Sequence, residues 1–226
     1  MFLISGASRG IGKFLFEKLT GDGEEVLGIF NKTHPASMPE RHVKVDVTQE
    51  DQIQSFVQSH RTALKEINFV HCAGVNTNGF THKLSPDSWR SVIEGNLGTA
   101  FLMVNALLPL MREQSYGRIV LIASVVPQLG VPGTSAYSSA KAGLWGLTKV
   151  IAKENAVKNV TCNCLNLGYY NIGMINEVPP DMMQTVLNTV PMKRLGDPQN
   201  IYHAVRFIVQ SDYMTGAQLD INGGLI

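Results

Sequence analysis

"FLISGASRGIG", Phe2 to Gly12, joins a short apolar run to a helical pattern through a turn of small residues with glycines at 6, 10 and 12. The run "FLIS" reads as a buried strand, and the residues from Ile11 onward repeat apolar side chains at helical spacing. Glycine tolerates positive φ and has no Cβ, so main-chain N–H groups in such a turn can approach an anion at the helix N-terminus. Glycines also make plain turns. Here the strand before and the helix after supply the context that gives the spacing meaning.

The same alternation continues along the chain. Apolar, often β-branched runs recur at 25–30, 42–47, 67–74, 117–124, 159–168 and 217–223, with helical patterns at 11–20, 49–63, 86–111, 135–157 and 198–210. Strands apolar on both faces that alternate with helices predict a parallel sheet covered on both sides. The expectation is one doubly wound α/β domain over residues 1–226, of Rossmann type, with a seven-stranded parallel sheet and right-handed crossovers. Residues 169–191 break the rhythm with paired prolines and three methionines after a strand. That segment is expected to form a mobile lid, with methionine as an adaptable apolar wall; a surface excursion with a short helix is the plain alternative.

Composition narrows the class. The 226 residues are 44% hydrophobic and 16% charged, and 19 Lys and Arg against 18 Asp and Glu leave a formal charge of +1. No global field recruits nucleic acid or an anionic membrane, so neither is expected as a partner. Cys72, Cys162 and Cys164 do not form a metal-ligand spacing, and no metal is expected. Cys162 and Cys164 alternate with Asn163 as same-face residues of a buried strand would. Sparse cysteines suit a reducing compartment, the N-terminus lacks a signal-peptide pattern, and the most apolar later run is too short for a membrane span. A cytoplasmic protein is expected.

The strand–glycine–helix opening makes a nucleotide the expected ligand. A carboxylate at the end of the second strand would bind the 2′-hydroxyl of an adenosine ribose. That region reads "GIFNKTHP", with Asn31, Lys32 and His34 and no acid, and Arg9 adds a cation from the glycine turn. Two cations and no carboxylate suit a 2′-phosphate, which favours NADP(H) over NAD(H). A solvated loop lysine is the plain alternative for Lys32. Asp46 could reach the adenine amino group or cap the helix that begins near Thr48.

In "SAYSSAKAG", residues 135–143, Tyr137 and Lys141 leave the same helix face. Such a pair is common by chance; Ser124, ending the fifth strand thirteen residues before Tyr137, makes it informative. A phenol titrates near 10 in water, and a neighbouring ammonium with an oxidised nicotinamide beside it would favour the phenolate and lower that value. Ser124 could hydrogen-bond a substrate oxygen as charge develops on it.

"SGASRGIG", "HCAG" (71–74), "EGNLGTAF" (94–101), "IAS" ending at Ser124 and "YSSAK" (137–141) resemble, in order, the motifs of the short-chain dehydrogenase/reductases. The resemblance covers nearly the whole chain; "VPMKRLGDPQNI" (190–201) and the terminal segment are most similar to the 3-oxoacyl-[acyl-carrier-protein] reductase branch. It implies Tyr137 as acid/base, Lys141 lowering its pKa and holding the nicotinamide ribose, Ser124 on the substrate oxygen, and Asn96 anchoring a water behind Lys141. It implies a cofactor surface of Gly6, Ser8, Arg9, Gly10, Ile11 and Gly12, then Asn31, Lys32, Asp46 and Val47, then Cys72, Ala73 and Gly74. Tyr137, Lys141, Gly168, Tyr170 and Ile172 complete it. The implied activity is NADPH-dependent reduction of a 3-oxoacyl thioester, carrier-bound or related. The alternatives are another ketone or secondary alcohol (sugar, steroid, small metabolite) or a non-catalytic NADP(H)-binding protein. Members are usually dimers or tetramers paired through the long helices, so a homo-oligomer is expected.

Two positions depart from the family pattern. Cys72 stands where Asn usually does in "NAG", and a thiol is a poor substitute for its hydrogen bonds. After the sixth strand "NLGYYNIGM" replaces Pro-Gly with Leu167-Gly168 and places Ile172 where a carboxamide-binding Thr is common. Main chain at Tyr170 or Ile172 could serve instead. Tyr169 and Tyr170 could pack under the lid or touch substrate.

Overall fold

The computed structural model describes residues 1–226, the side chains of Glu177 and Met182 excepted. Seven strands form one sheet: β1 (Phe2–Ser5), β2 (Val26–Phe30), β3 (His42–Lys44), β4 (Asn68–His71), β5 (Gly117–Ser124), β6 (Val160–Leu167) and β7 (Gln218–Ile221). Their order is β3-β2-β1-β4-β5-β6-β7, and every pair is parallel. The sheet is therefore the doubly wound kind that the alternation predicts.

Side-chain alternation explains why both faces are covered. Leu3, Phe69, Ile119 and Leu121 point into one apolar layer, while Phe2, Ile4, Val70, Val120 and Ile122 point into the other. Helices α1 (Gly10–Gly21) and α8 (Pro198–Gln210) close the second layer with Leu15, Phe16, Leu19, Ile201, Val205 and Ile208. Helices α2 (Glu50–Ser59), α4 (Thr99–Gln114) and α6 (Ser135–Asn155), the last reached from β5 through the single turn α5 (Val126–Leu129), close the first with Ile53, Phe56, Met103, Leu107, Leu144 and Ile151. Cys162 and Cys164 both fall in that first layer, the same-face placement their spacing predicts.

Several boundaries differ from the sequence reading. The third strand stops at Lys44 rather than Val47, because Asp46 turns the chain: its Oδ1 accepts from the Thr48 N–H (3.0 Å) and hydroxyl (2.7 Å). The fourth strand stops at His71, so Cys72–Gly74 leave the sheet as a loop. The second helix ends at Ser59, and the segment after β6 contains its own helix, α7 (Pro180–Thr189).

The largest difference concerns the pattern at 86–111. Helix α3 (Pro86–Ile93) runs through a π-helical turn at Glu94–Gly98 directly into α4, giving 29 continuous helical residues, Pro86–Gln114. This run is long and apolar enough to cross a membrane, contrary to the sequence estimate. Pro109 does not break it because the carbonyl it deprives of a partner belongs to Asn105, and both residues are solvent-exposed. Its apolar side chains Ala100, Met103, Val104, Leu107, Leu110 and Met111 are buried against the sheet, which is the position of a core helix.

Candidate active site

Strand order reverses between β1 and β4, and the crevice there holds a cavity of about 1250 Å³. The glycine turn forms its floor. Gly6 and Gly10 have φ of +70° and +54°, and a Cβ on Gly12 would stand 2.2 Å from the Gly6 carbonyl oxygen. Arg9, the N-cap of α1, makes no side-chain capping bond, so the first-turn N–H groups face the cavity wall free of a protein cap. Main-chain donors, a helix N-terminus and room for two nucleotides fit a dinucleotide cofactor.

Most of the sequence-derived cofactor residues line this cavity: Gly6, Ser8, Arg9, Gly10, Ile11, Gly12, Asn31, Lys32, Asp46, Val47, Cys72, Ala73, Gly74 and Ile172. Arg9 and Lys32 are exposed at its mouth. Burial pushes the Asp46 carboxyl up, but hydrogen bonds from Thr48 and Asn31 and the Lys32 charge outweigh it and hold the group below its ordinary value. Asp46 does not cap α2, whose N-cap is Gln49; its bonds close a turn two residues long.

Gly168 and Tyr170 are not on the wall. Gly168 packs on Asn222, where a Cβ would lie 2.7 Å from its Cα. The Tyr170 ring lies over Gly196 in the second core layer, with its hydroxyl donating to the Ile221 carbonyl at 3.1 Å. Core packing is thus where the structure puts Tyr170. Glu94, Thr99, Gly173, Met174 and Asn176 line the cavity without having been singled out from sequence. For Glu94 and Thr99 the usable signal was their place beside Asn96. The other three lie in an irregular segment with no periodicity to read.

A second cluster adjoins the cavity through Gly74. The position a Cβ would take on Gly74 is 2.7 Å from Asn96 Oδ1 and 3.8 Å from Lys141 Nζ, so only glycine fits there. Asn96 sits in the π-turn, fully buried, and its Nδ2 donates to the carbonyls of Val75 (2.7 Å) and Val92 (2.8 Å). Its Oδ1 is buried without a partner among the described residues, aimed toward Gly74. Lys141 is 5% exposed and donates to the Ile122 carbonyl at 2.8 Å. Its Nζ lies 5.5 Å from the centroid of the Tyr137 ring, and Ser124, at the end of β5, accepts from the Val126 N–H at 3.2 Å with its hydroxyl close enough to Tyr137 to favour the phenolate.

The polypeptide alone moves Tyr137 and Lys141 in opposite directions. Burial pushes the Tyr137 hydroxyl up to about 12, and the nearby Ser124 hydroxyl opposes this only in part. Burial likewise pushes Lys141 down to about 8. Burial of the phenol itself keeps Tyr137 protonated, while the Lys141 ammonium is turned to the Ile122 carbonyl. Cys72 is held up at about 12 by burial, so it is a thiol and not a thiolate.

A family model described as enoyl-(acyl carrier protein) reductase matches residues 6–226. The chain belongs to the short-chain dehydrogenase/reductases. As a short-chain dehydrogenase/reductase it is a nicotinamide-dependent oxidoreductase acting on a carbonyl or hydroxyl group. Among members, the 3-oxoacyl-[acyl-carrier-protein] reductase FabG of Escherichia coli (strain K12) is 32% identical, aligned over 99% of this chain and 96% of its own length. The corresponding protein of Haemophilus influenzae (strain ATCC 51907 / DSM 11121 / KW20 / Rd) is 30% identical over the same shares. The acetoacetyl-CoA reductase of Shinella zoogloeoides is 32% identical over 98% of this chain and 96% of its own.

Proposed function

We propose that this chain reduces 3-oxoacyl thioesters with NADPH. The observation that carries the reading is a protonated, largely buried Tyr137 beside Ser124, with Lys141 behind it, at the Gly74 end of a dinucleotide-sized cavity. The thioester class is supported by relatives named as reductases of 3-oxoacyl-[acyl-carrier-protein] and acetoacetyl-CoA. A carrier-bound acyl chain and free acyl-CoA share the reacting 3-oxoacyl group.

When bound, the reduced nicotinamide is the source of the hydride that a carbonyl carbon accepts. Gly6, Ser8, Gly10 and Gly12 would hold the pyrophosphate with main-chain N–H groups, and Arg9 and Lys32 would take a 2′-phosphate. Ser124 Oγ would hydrogen-bond the substrate oxygen, and Tyr137 would give that oxygen its phenolic proton as negative charge develops. The phenolate left behind would be stabilised by the Lys141 ammonium. Asn96 would hold the path by which a proton returns to Tyr137 through Lys141. A hydroxyl kept protonated by burial suits the donor role in reduction.

Ile172, Gly173, Met174 and Asn176 reach the cavity from residues 169–191, and Gly173 approaches Gly10 with its Cα 3.4 Å from that glycine's Cβ position. This contact supports a lid role for the segment within a single domain spanning the chain. Phe101 on α4 and Val150 on α6 are about half exposed, which supports homo-oligomers paired through those helices. The three free, unpaired cysteines are consistent with a cytoplasmic setting.

The test is NADPH oxidation with a 3-oxoacyl thioester, on carrier protein and on CoA, beside a panel of sugars, steroids and small ketones. Highest kcat/KM on the thioesters is expected, with NADPH preferred to NADH. A higher value on another ketone would move the enzyme to that substrate, and NADPH binding with no turnover at all would contradict the reductase reading.

A further inference from the structure

Three buried polar side chains with no part in the proposed chemistry meet where the sheet reverses its strand order. Ser5 ends β1 and His71 ends β4, and they are register partners across that junction. Thr99 opens α4 immediately after the π-turn. Exposure is 0% for Ser5 and His71 and 1% for Thr99.

The direction of each hydrogen bond follows from the protons available. Thr99 has one hydroxyl proton and faces the Gly95 carbonyl at 3.1 Å, with the Asn96 carbonyl at 3.5 Å. A carbonyl cannot donate, so Thr99 Oγ1 offers a lone pair to His71 Nε2, 3.3 Å away, and Nε2 carries the proton. Burial, with the Lys141 charge nearby, keeps the ring neutral. Nδ1 is then an acceptor and takes the Ser5 hydroxyl proton at 2.9 Å. Ser5 Oγ in turn accepts from the Ala73 N–H at 3.4 Å. One directional chain thus runs from Ala73, on the cavity wall, through Ser5, His71 and Thr99 to the turn that carries Asn96.

We propose that His71 is a positioning residue whose neutral, Nε2-protonated ring clamps the Cys72–Gly74 wall of the cavity to the π-turn bearing Asn96. The clamp matters because Gly74 leaves no spare room between Asn96 Oδ1 and Lys141 Nζ. A hydrogen-bonded imidazole here supplies the rigidity that the thiol of Cys72 cannot. Its effect on rate rests on the reductase reading above; its effect on NADPH binding and its tautomer do not.

The two halves of the clamp can be separated. His71→Asn keeps an oxygen near the Nδ1 position for Ser5 but does not reach Thr99. His71→Gln places an amide N–H near the Nε2 position for Thr99 and loses Ser5. His71→Asn is expected to lower kcat about tenfold or more with the NADPH Kd held, and His71→Gln to raise the NADPH Kd about tenfold with kcat held. Thr99→Val should reproduce the fall in kcat and Ser5→Ala the second pattern, giving an independent route if a His71 variant does not fold. Fluorescence titration of NADPH and ¹⁵N NMR of the His71 ring complete the experiment, the latter expected to show a protonated Nε2 and a bare Nδ1. A protonated Nδ1 in the wild type, or variants of both arms that move kcat and NADPH Kd in parallel, overturns the proposal. If the wild type turns over no ketone, the reductase reading fails, while the ring tautomer and the NADPH Kd of Ser5→Ala and His71→Gln still decide this one.

Discussion

At the glycine-turn end of the cleft, Gly6, Gly10 and Gly12 present main chain, and Arg9 and Lys32 stand in solvent. At the other end Ser124, Lys141 and Asn96 are packed side chains, all under 10% exposed, with Tyr137 among them. The first end offers a ligand shape and screened charge. The second works by withholding water, which moves Tyr137 and Lys141 in opposite directions from their ordinary pKa values. Substitutions at the two ends should therefore fail differently.

The largest effect is expected at the buried end. Lys141→Ala should lower the reduction rate by about two to four orders of magnitude, since it removes the cation beside Tyr137. Steady-state kinetics at saturating NADPH measure it; a loss confined to KM would place Lys141 with the binding end instead. Gly12→Ala comes next. The added Cβ would press on the Gly6 carbonyl, so about 1–3 kcal/mol of stability and most NADPH affinity should go together. Urea unfolding and fluorescence titration check the pair, and a stable variant with full affinity would show that the turn has slack.

A smaller, salt-sensitive effect is expected at the open end. Arg9→Ala and Lys32→Ala should each reduce the preference for NADPH over NADH about tenfold, leaving NADH kinetics alone. The preference should shrink with added salt in the wild type. A preference indifferent to both substitutions would show that the cations do not meet the 2′-phosphate.

The mildest prediction concerns stability against pH. Cys72, Cys164 and Tyr137 keep their protons in the folded chain to about 12, 11 and 12, against ordinary values of 9.0, 9.0 and 10.0. Over those intervals the unfolded chain binds fewer protons, so stability falls as pH rises above about 9. Lys141 acts in the other sense, losing its proton near 8 when folded against 10.5 unfolded, but one group is outnumbered. On the acid side His71 titrates at about 3 when folded against 6.5, so the unfolded chain binds more protons and stability falls below about pH 6.5. Urea midpoints should be level between about pH 6.5 and 8, gain a little through Lys141 up to about 9 and fall beyond it, with a flatter acid limb in His71→Asn.

The same contrast governs what the sequence discloses. The strands and the glycine turn were legible because apolar runs and glycine spacing are local features, and Tyr137 with Lys141 because they are one helical turn apart. The π-turn at Glu94–Gly98 was not, since one extra residue in a turn leaves the helical apolar pattern in place. Nor was the Ser5–His71–Thr99 chain, whose members lie 66 and 28 positions apart. The direction of the Tyr137 shift depends on how deeply the fold buries it, which no spacing reveals. Between Tyr170 and Ile172, an irregular segment gave no rule for which side chain faces the cleft; the structure turns Ile172 to the cavity and Tyr170 to the core.

Tyr137→Phe tests the proton donor most directly. NADPH oxidation with a 3-oxoacyl thioester should be fast in the wild type and nearly absent in the variant, while both bind NADPH equally well by fluorescence titration. Equal rates in the two would contradict Tyr137 as the proton donor and with it the division of the cleft into a binding end and a chemical end.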